Sequence, residues 1–177
     1  MNILFTNIGR RTYFVDYALD LKRGGYPIHI FVSDTSIETA GFWVSEEVTQ
    51  LLTPHVSGNE QQYIKTLTEE CLKHKIELII PMMDYELPVL AKNKKDLENY
   101  GIQVIVSEYD TVMNCLDKKN NYEYCLKNNL PTPKTFFSTK EIPLSFPLIK
   151  KRILGSGSNG LHTIRNSNEL VLFEEGV

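Results

Sequence analysis

The chain has 177 residues, 42% of them hydrophobic and 23% charged, which is enough for one well-buried core plus a smaller appendage and too little for two large domains. That composition excludes collagen, coiled coil and disorder, no apolar run approaches the ~20 residues of a membrane helix, and Cys71, Cys115 and Cys125 form no CxxC pair, which argues for reduced thiols and a cytoplasmic setting. The net charge of -3 hides an asymmetry: residues 1–110 carry 10 Lys+Arg against 16 Asp+Glu, whereas residues 111–177 carry 9 against 6, too sparse for nucleic acid but suited to a compact polyanion.

Asn2 to Thr6 is a short apolar run ending in a turn at Asn7 and Gly9, and reads as a buried strand. Phe14, Ala18 and Leu21, with Val15 and Leu19 beside them, have helical spacing that stops at Gly24-Gly25. Ile28 to Val32 is a second strand with Ser33-Asp34 at its carboxyl end, which completes a right-handed βαβ unit. Thr35 to Glu47 has no clear period, although Phe42 and Trp43 need cover. Val48 to Leu52 is a third strand, and Asn59 caps a helix through Tyr63, Leu67, Cys71 and Leu72. Ile76 to Ile80 is a strongly apolar strand stopped by Pro81, Tyr85 to Asn99 a helix, and Ile102 to Val106 a fifth strand.

Strands alternating with helices over residues 1–107 imply an α/β domain with a doubly wound, mainly parallel, Rossmann-like sheet. Two short helices, Tyr109 to Cys115 and Lys118 to Lys127, then lead to Pro131 and Pro133, so residues 108–133 read as a helical hinge. Beyond it, Lys134 to Phe137, Leu148 to Lys151 and Leu161 to Ile164 read as strands of a small antiparallel sheet, with a helix from Ser167 to Glu174 behind it. Residues 134–177 are therefore a small α+β unit.

Three places hold residues suited to chemistry. In the first turn only Gly9 stands where a dinucleotide-binding loop shows GxGxxG. Arg10 and Arg11, at a helix N-terminus, suit an anionic substrate, and Asp34 occupies the end of strand two. Asp84 and Glu86 leave the fourth strand at the edge where ligands of open α/β sheets bind, although both also suit the start of the following helix. The most specific is Lys150-Lys151-Arg152 followed by Gly155-Ser156-Gly157-Ser158-Asn159-Gly160. It is not a Walker loop, since no GK[ST] follows and a strand comes next. A glycine flap between two strands offers backbone N–H groups to phosphates, and a lysine supplies charge. The four histidines have no ligand spacing, and no metal-ligand cluster is visible in the sequence.

In order, Asn7-Ile-Gly-Arg-Arg11, Pro81-x-x-Asp-x-Glu-Leu87, Asp117-Lys118, Leu130-Pro-Thr-Pro133, Phe146-Pro147 and Gly155-Ser-Gly-Ser-Asn-Gly160 together resemble the ATP-grasp superfamily, most closely its carbamoyl-phosphate-synthase-like carboxylate-amine ligases. The resemblance implies a pre-ATP-grasp domain followed by the opening, incomplete part of an ATP-grasp domain. It implies that Lys118 and Lys151 contact ATP phosphates with the glycine loop, and that Gly9, Arg10, Arg11, Asp34, Asp84 and Glu86 lie on the substrate side. Lys151 is favoured over Lys150 by its spacing to the loop, though Arg152 and Ile153 replace the residues usual there. The family's chemistry uses ATP and magnesium to make an acyl-phosphate that an amine displaces. Its adenine pocket, metal ligands and catalytic arginine lie beyond residue 177, so the chain alone is expected to be inactive, either as the N-terminal portion of such a ligase or as a non-catalytic module paired with a separately encoded C-terminal half. Expected partners are a nucleotide and a small carboxylate, with a homo-oligomer as a further possibility and neither nucleic acid nor membrane.

Overall fold

Asn2–Thr6 forms β1 of the computed structural model, which describes residues 1–142, 145–155 and 157–172. It is the central strand, and both of its faces are therefore covered: Ile3, Leu4 and Phe5 are all buried. α1 (Thr12–Arg23) leads to β2 (His29–Asp34), β3 (Val48–Leu52), α2 (Glu60–Lys73), β4 (Leu78–Pro81), α3 (Leu87–Lys92), α4 (Lys94–Asn99) and β5 (Gln103–Val104). The sheet order is β3-β2-β1-β4-β5, and all four pairings are parallel. Strand order reverses between β1 and β4, so the topological switch point lies where these two strands end.

Alternation along the strands divides the core into two layers. Leu4, Phe31, Leu51 and Ile79 pack with Tyr63, Leu67 and Cys71 of α2 and with Leu90 and Leu97 of α3 and α4. Ile3, Phe5, Ile30 and Val32 pack with Val15, Ala18 and Leu19 of α1 and with Phe42. Each such buried side chain stabilises the fold by about 1.5–3 kcal/mol.

α2 starts where Asn59 Oδ1 accepts the Gln62 N–H at 3.0 Å, the cap expected from its sequence. α1 buries Val15, Ala18 and Leu19, but Leu21, one heptad beyond half-buried Phe14, stays 51% exposed at the rim; Leu72 on α2 is likewise exposed. Phe42 finds its cover while its neighbour Trp43 does not, being 69% exposed, with Nε1 donating to the Ile37 carbonyl at 2.8 Å.

The single helix expected over Tyr85 to Asn99 is instead a 3-10 turn at Asp84–Glu86 followed by α3 and α4, broken at Asn93. The Asn93 amide donates back to the Val89 carbonyl at 2.8 Å, a local bond that competes with continuation of the helix. The fifth strand shrinks from Ile102 to Val106 down to Gln103–Val104, since at the sheet edge it has only β4 to pair with.

The chain divides into two compact units, Met1–Val112 and Met113–Val177, and the division falls within α5 (Tyr109–Leu116). The second unit holds α6 (Lys118–Lys127), β6 (Leu148–Lys150), β7 (His162–Ile164) and α7 (Ser167–Leu172), with β6 and β7 antiparallel and Lys150 opposite His162. Lys134 to Phe137 is not a strand. Pro131 and Pro133 precede it, and Phe137 packs on α6 instead: its ring lies 5.7 Å from that of Tyr122 and under the Lys119 ammonium. The last helix is described to Leu172; the expected extension to Glu174 lies outside the described residues.

Candidate functional site

At the switch point the first turn is held by its own neighbours. Asn7 (φ 47°) and Gly9 (φ 54°) are both left-handed, which aims the Gly9 N–H at Asp34 Oδ2, 2.9 Å away. Asp34 Oδ1 accepts the Thr35 N–H at 2.7 Å, so the carboxylate pins the turn after β1 to the end of β2. Arg11 donates through Nη1 to Met83 Sδ, while Arg10 and Asp84 are exposed.

Glu86, expected on the substrate side, is instead fully buried. Its Oε2 accepts from Asn7 Nδ2 and the Tyr63 hydroxyl, each at 2.7 Å, and its Oε1 accepts from the Met82 and Met83 N–H groups, each at 3.0 Å. Four donors on three segments thus neutralise one buried carboxylate without a cation, and the carboxylate ties together the turns after β1 and β4 and helix α2. Burial, reinforced by the adjacent Glu86 charge, pushes the Tyr63 phenol far up, so Tyr63 is a permanent proton donor here. Asn7 Oδ1, Ser33 Oγ and Thr53 Oγ1 are buried in the same region without a hydrogen-bond partner among the described residues. The Tyr85 phenol is raised by partial burial and by Glu86, and its ring stacks on His55 at 4.9 Å.

The second unit has a different arrangement. Asp117 Oδ1 caps α6 by accepting the Lys119 and Asn120 N–H groups at 2.8 and 2.9 Å, which puts Lys118 at the first helical position. The glycine loop runs past this helix start. Lys118, Lys151, Arg152, Gly155, Gly157, Ser158, Asn159 and Leu161 line a cavity of about 240 Å³. Lys118 Nζ donates to the Gly155 carbonyl at 2.9 Å, and the Lys118 backbone N–H donates to the Ile153 carbonyl at 3.1 Å. Gly160 closes the loop with φ 72°, and a Cβ there would meet Arg152 Cγ and Cδ at 2.8 Å, so the arginine methylenes lie directly on the loop's end.

Of the residues expected to bind a nucleotide, Lys118, Lys151, Gly155, Gly157, Ser158 and Asn159 share this cavity, Gly160 adjoins it through Arg152, and Ser156 lies outside the described residues. Lys150 pairs in the β-ladder and is not among the lining residues. Arg152, which belongs to the run Lys150-Lys151-Arg152 but departs from the family pattern, joins the lining as a third cation that the resemblance does not imply. The Asn7–Tyr63–Glu86 network was not anticipated, because Tyr63 fits the apolar face of α2 by spacing and gives no hint of its polar end.

Among the described residues the cavity is lined by three cationic side chains and glycine backbone with no carboxylate, which fits the oxygens of a polyphosphate. It does not fit a magnesium ion: among the described residues no group of three or more His, Cys, Asp or Glu side chains is placed to hold a metal. No helix among them is long and apolar enough to cross a membrane.

A model of the family "PylC-like, N-terminal domain" matches residues 3–121. No curated protein matches the chain in sequence. Among solved structures, the L-amino acid ligase of Bacillus licheniformis superposes with a TM-score of 0.64 at 16% identity over 99% of this chain and 42% of its own. N5-carboxyaminoimidazole ribonucleotide synthetase of Thermotoga maritima gives 0.58 at 18% identity over 97% of this chain and 42% of its own. The biotin carboxylase domain of Hydrogenobacter thermophilus 2-oxoglutarate carboxylase, a dimer in complex with MgADP, ADP and bicarbonate, gives 0.64 at 20% identity over 99% and 40%. At these identities the likeness is one of fold, and the chain spans about two-fifths of the length of each structure.

Proposed function

The chain belongs to the PylC-like N-terminal domain family, and from that premise we propose that it is the N-terminal portion of an ATP-dependent carboxylate-amine ligase of the ATP-grasp type, similar to the carbamoyl-phosphate-synthase large chain. The first unit is the pre-ATP-grasp domain, and the second begins the ATP-grasp domain and carries its phosphate clasp. The observation that carries the reading is the cavity in which Lys118, Lys151 and Arg152 converge beside the glycine loop.

In that chemistry a carboxylate oxygen takes the γ-phosphoryl group of ATP with release of ADP, and an amine then attacks the acyl carbon with release of phosphate. The residues of this chain hold the triphosphate: the ammonium groups of Lys118 and Lys151 and the Arg152 guanidinium offset its charge, and the loop N–H groups accommodate its oxygens. The described residues supply no set of magnesium ligands, and no step is assigned to the metal here. Arg10, Arg11 and Asp84, exposed or half-exposed around the switch point, are the side from which a small anionic or amine substrate is approached.

One observation is shared with a second reading, in which the unit is completed by a separately encoded chain. Among the described residues Ile164 is the only buried hydrophobic of the second unit, whereas Leu126, Leu130, Ile149, Leu154, Leu161 and Val171 are exposed. Such a surface calls for further chain to cover it, supplied in the same polypeptide or by another.

Calorimetric titration of inorganic tripolyphosphate and of MgATP tests the clasp in the wild type, Lys118→Ala and Lys151→Ala. The expected result is tripolyphosphate binding by the wild type and about tenfold weaker binding by each variant, the equivalent of one charge-assisted hydrogen bond. Equal binding by all three proteins, or binding by none, overturns the assignment.

A further inference from the structure

The carboxyl end of the first sheet carries oxygens on a face that is otherwise hydrocarbon. On the side packed by α2, strands β1, β2 and β3 contribute Leu4, Phe31 and Leu51. Two residues further along each segment, the same alternation brings Thr6, Ser33 and Thr53 to that face. Backbone pairing continues to this level: the Ile8 N–H donates to the Ser33 carbonyl at 3.1 Å and the Thr53 N–H to the Asp34 carbonyl at 3.0 Å. The step from leucine and phenylalanine to threonine and serine removes side-chain volume and adds hydroxyls, yet all three residues stay buried.

Asn7, buried beside them, shows what this row demands. Its Nδ2 donates to Glu86 Oε2 at 2.7 Å and reaches the Tyr63 hydroxyl at 3.4 Å, which orients the amide and leaves Oδ1 as an acceptor outside those bonds. The Thr6 hydroxyl adjoins the Tyr63 phenol. Asn7 Oδ1, Ser33 Oγ and Thr53 Oγ1, by contrast, have no hydrogen-bond partner among the described residues. Folding removes these three oxygens from bulk water, and that is costly unless something replaces the lost bonds.

We infer that the row is a buried hydration site, in which one ordered water donates to Asn7 Oδ1 and is shared by the Ser33 and Thr53 hydroxyls. Water fits the demand: an acceptor-only oxygen needs a donor, the hydroxyls take either role, and one water offers two of each. A cation fits less well, because both oxygens of the buried Glu86 are already taken by four donors. A donor on Asn7 Oδ1 also polarises the amide toward Glu86, so the water is the outer member of the Asn7–Tyr63–Glu86 network. The inference concerns the first unit alone and is independent of the phosphate clasp.

Oxygen-17 relaxation dispersion of the solvent, which counts long-lived internal waters, tests this on the full chain. Wild type and Thr53→Val/Ser33→Ala are expected to differ by at least one such water, and Thr53→Ser, which keeps the hydroxyl, to match wild type. In urea unfolding, Thr53→Val and Ser33→Ala should each raise the unfolding equilibrium constant about fivefold. The double variant should raise it by clearly less than the product of the two, because both hydroxyls lose the same partner. Three results overturn the site: an equal water count in wild type and the double variant, single variants that unfold no more readily than wild type, or effects that multiply in full. The second result would mean hydroxyls that are dispensable because nothing bonds them.

Discussion

The two units place their charged groups in opposite ways. At the switch point of the first unit two acids are engaged by the fold itself while Asp84 stays exposed: Glu86 is buried under four donors, and Asp34 is taken by the Gly9 and Thr35 N–H groups. In the second unit Lys118, Lys151 and Arg152 line a cavity that has no acid among its described lining residues. A buried carboxylate saturated by fixed donors sets geometry, whereas cations that line a cavity and hold at most a backbone carbonyl can meet a mobile anion. On the proposed function the first unit is accordingly a scaffold whose edge is set by its polar groups, and the phosphate chemistry is assigned to the second.

The contrast is broken most severely at Glu86. Glu86→Ala strips the partners from the Asn7 amide, the Tyr63 hydroxyl and two backbone N–H groups, and should cost about 4 kcal/mol of first-unit stability in a urea unfolding curve. Glu86→Gln, which keeps the shape, should cost about half of that. An unfolding midpoint within about 0.5 kcal/mol of wild type for the alanine variant would mean that the carboxylate is not the tie it looks to be.

The next largest effect is alkaline. Burial, with Glu70 adding to it, pushes the Cys71 thiol up to about 12 from its ordinary 9.0, and Tyr63 is raised as well. Both groups have folded pKa values above their unfolded ones, so the unfolded chain releases protons first. Stability is fully present below pH 9 and declines as pH rises, by about 1.4 kcal/mol per pH unit for the thiol until its folded pKa is reached. Thermal melts between pH 8 and 11 should show this decline, and Cys71→Ala should flatten it from a lower starting stability. A slope unchanged by that substitution would exclude the thiol as its source.

Smaller still is the loss at the clasp, where Lys118→Ala and Lys151→Ala should each weaken tripolyphosphate binding about tenfold and leave the urea curve of the first unit in place. A fall in first-unit stability on either substitution would join what the account separates. At the bottom of the scale, Trp43→Ser should change stability by less than about 0.5 kcal/mol, because that ring is 69% exposed and holds only a loop carbonyl.

What the sequence made legible follows the range of the interaction. β1, the Asn59 cap and the span of α6 are visible in a window of a few residues, and they stand where spacing and capping put them. The break at Asn93 was equally local but invisible to periodicity, because a side chain competing for a carbonyl leaves the apolar spacing intact. Glu86 is legible only in part: its hold on the Met82 and Met83 N–H groups is the helix-start role its position suggests, but its carboxylate also meets the Asn7 amide across 79 positions of chain, and nothing near Glu86 announces that partner. The Lys118–Gly155 contact spans 37 positions, and it was foreshadowed by the resemblance of ordered motifs rather than by any local pattern. Lys134 to Phe137 is not a strand because Phe137 packs on α6, a choice made by packing that β-propensity does not see.

The separation of scaffold from clasp is tested most directly by following backbone amide resonances while ATP is added. The account predicts shifts at Lys118, Lys151, Gly155, Gly157 and Asn159, with the amides of Gly9, Thr35, Met82 and Met83 unmoved. Shifts concentrated at Gly9 to Arg11 and Asp34, with the glycine loop silent, would place the nucleotide on the first sheet and contradict the account.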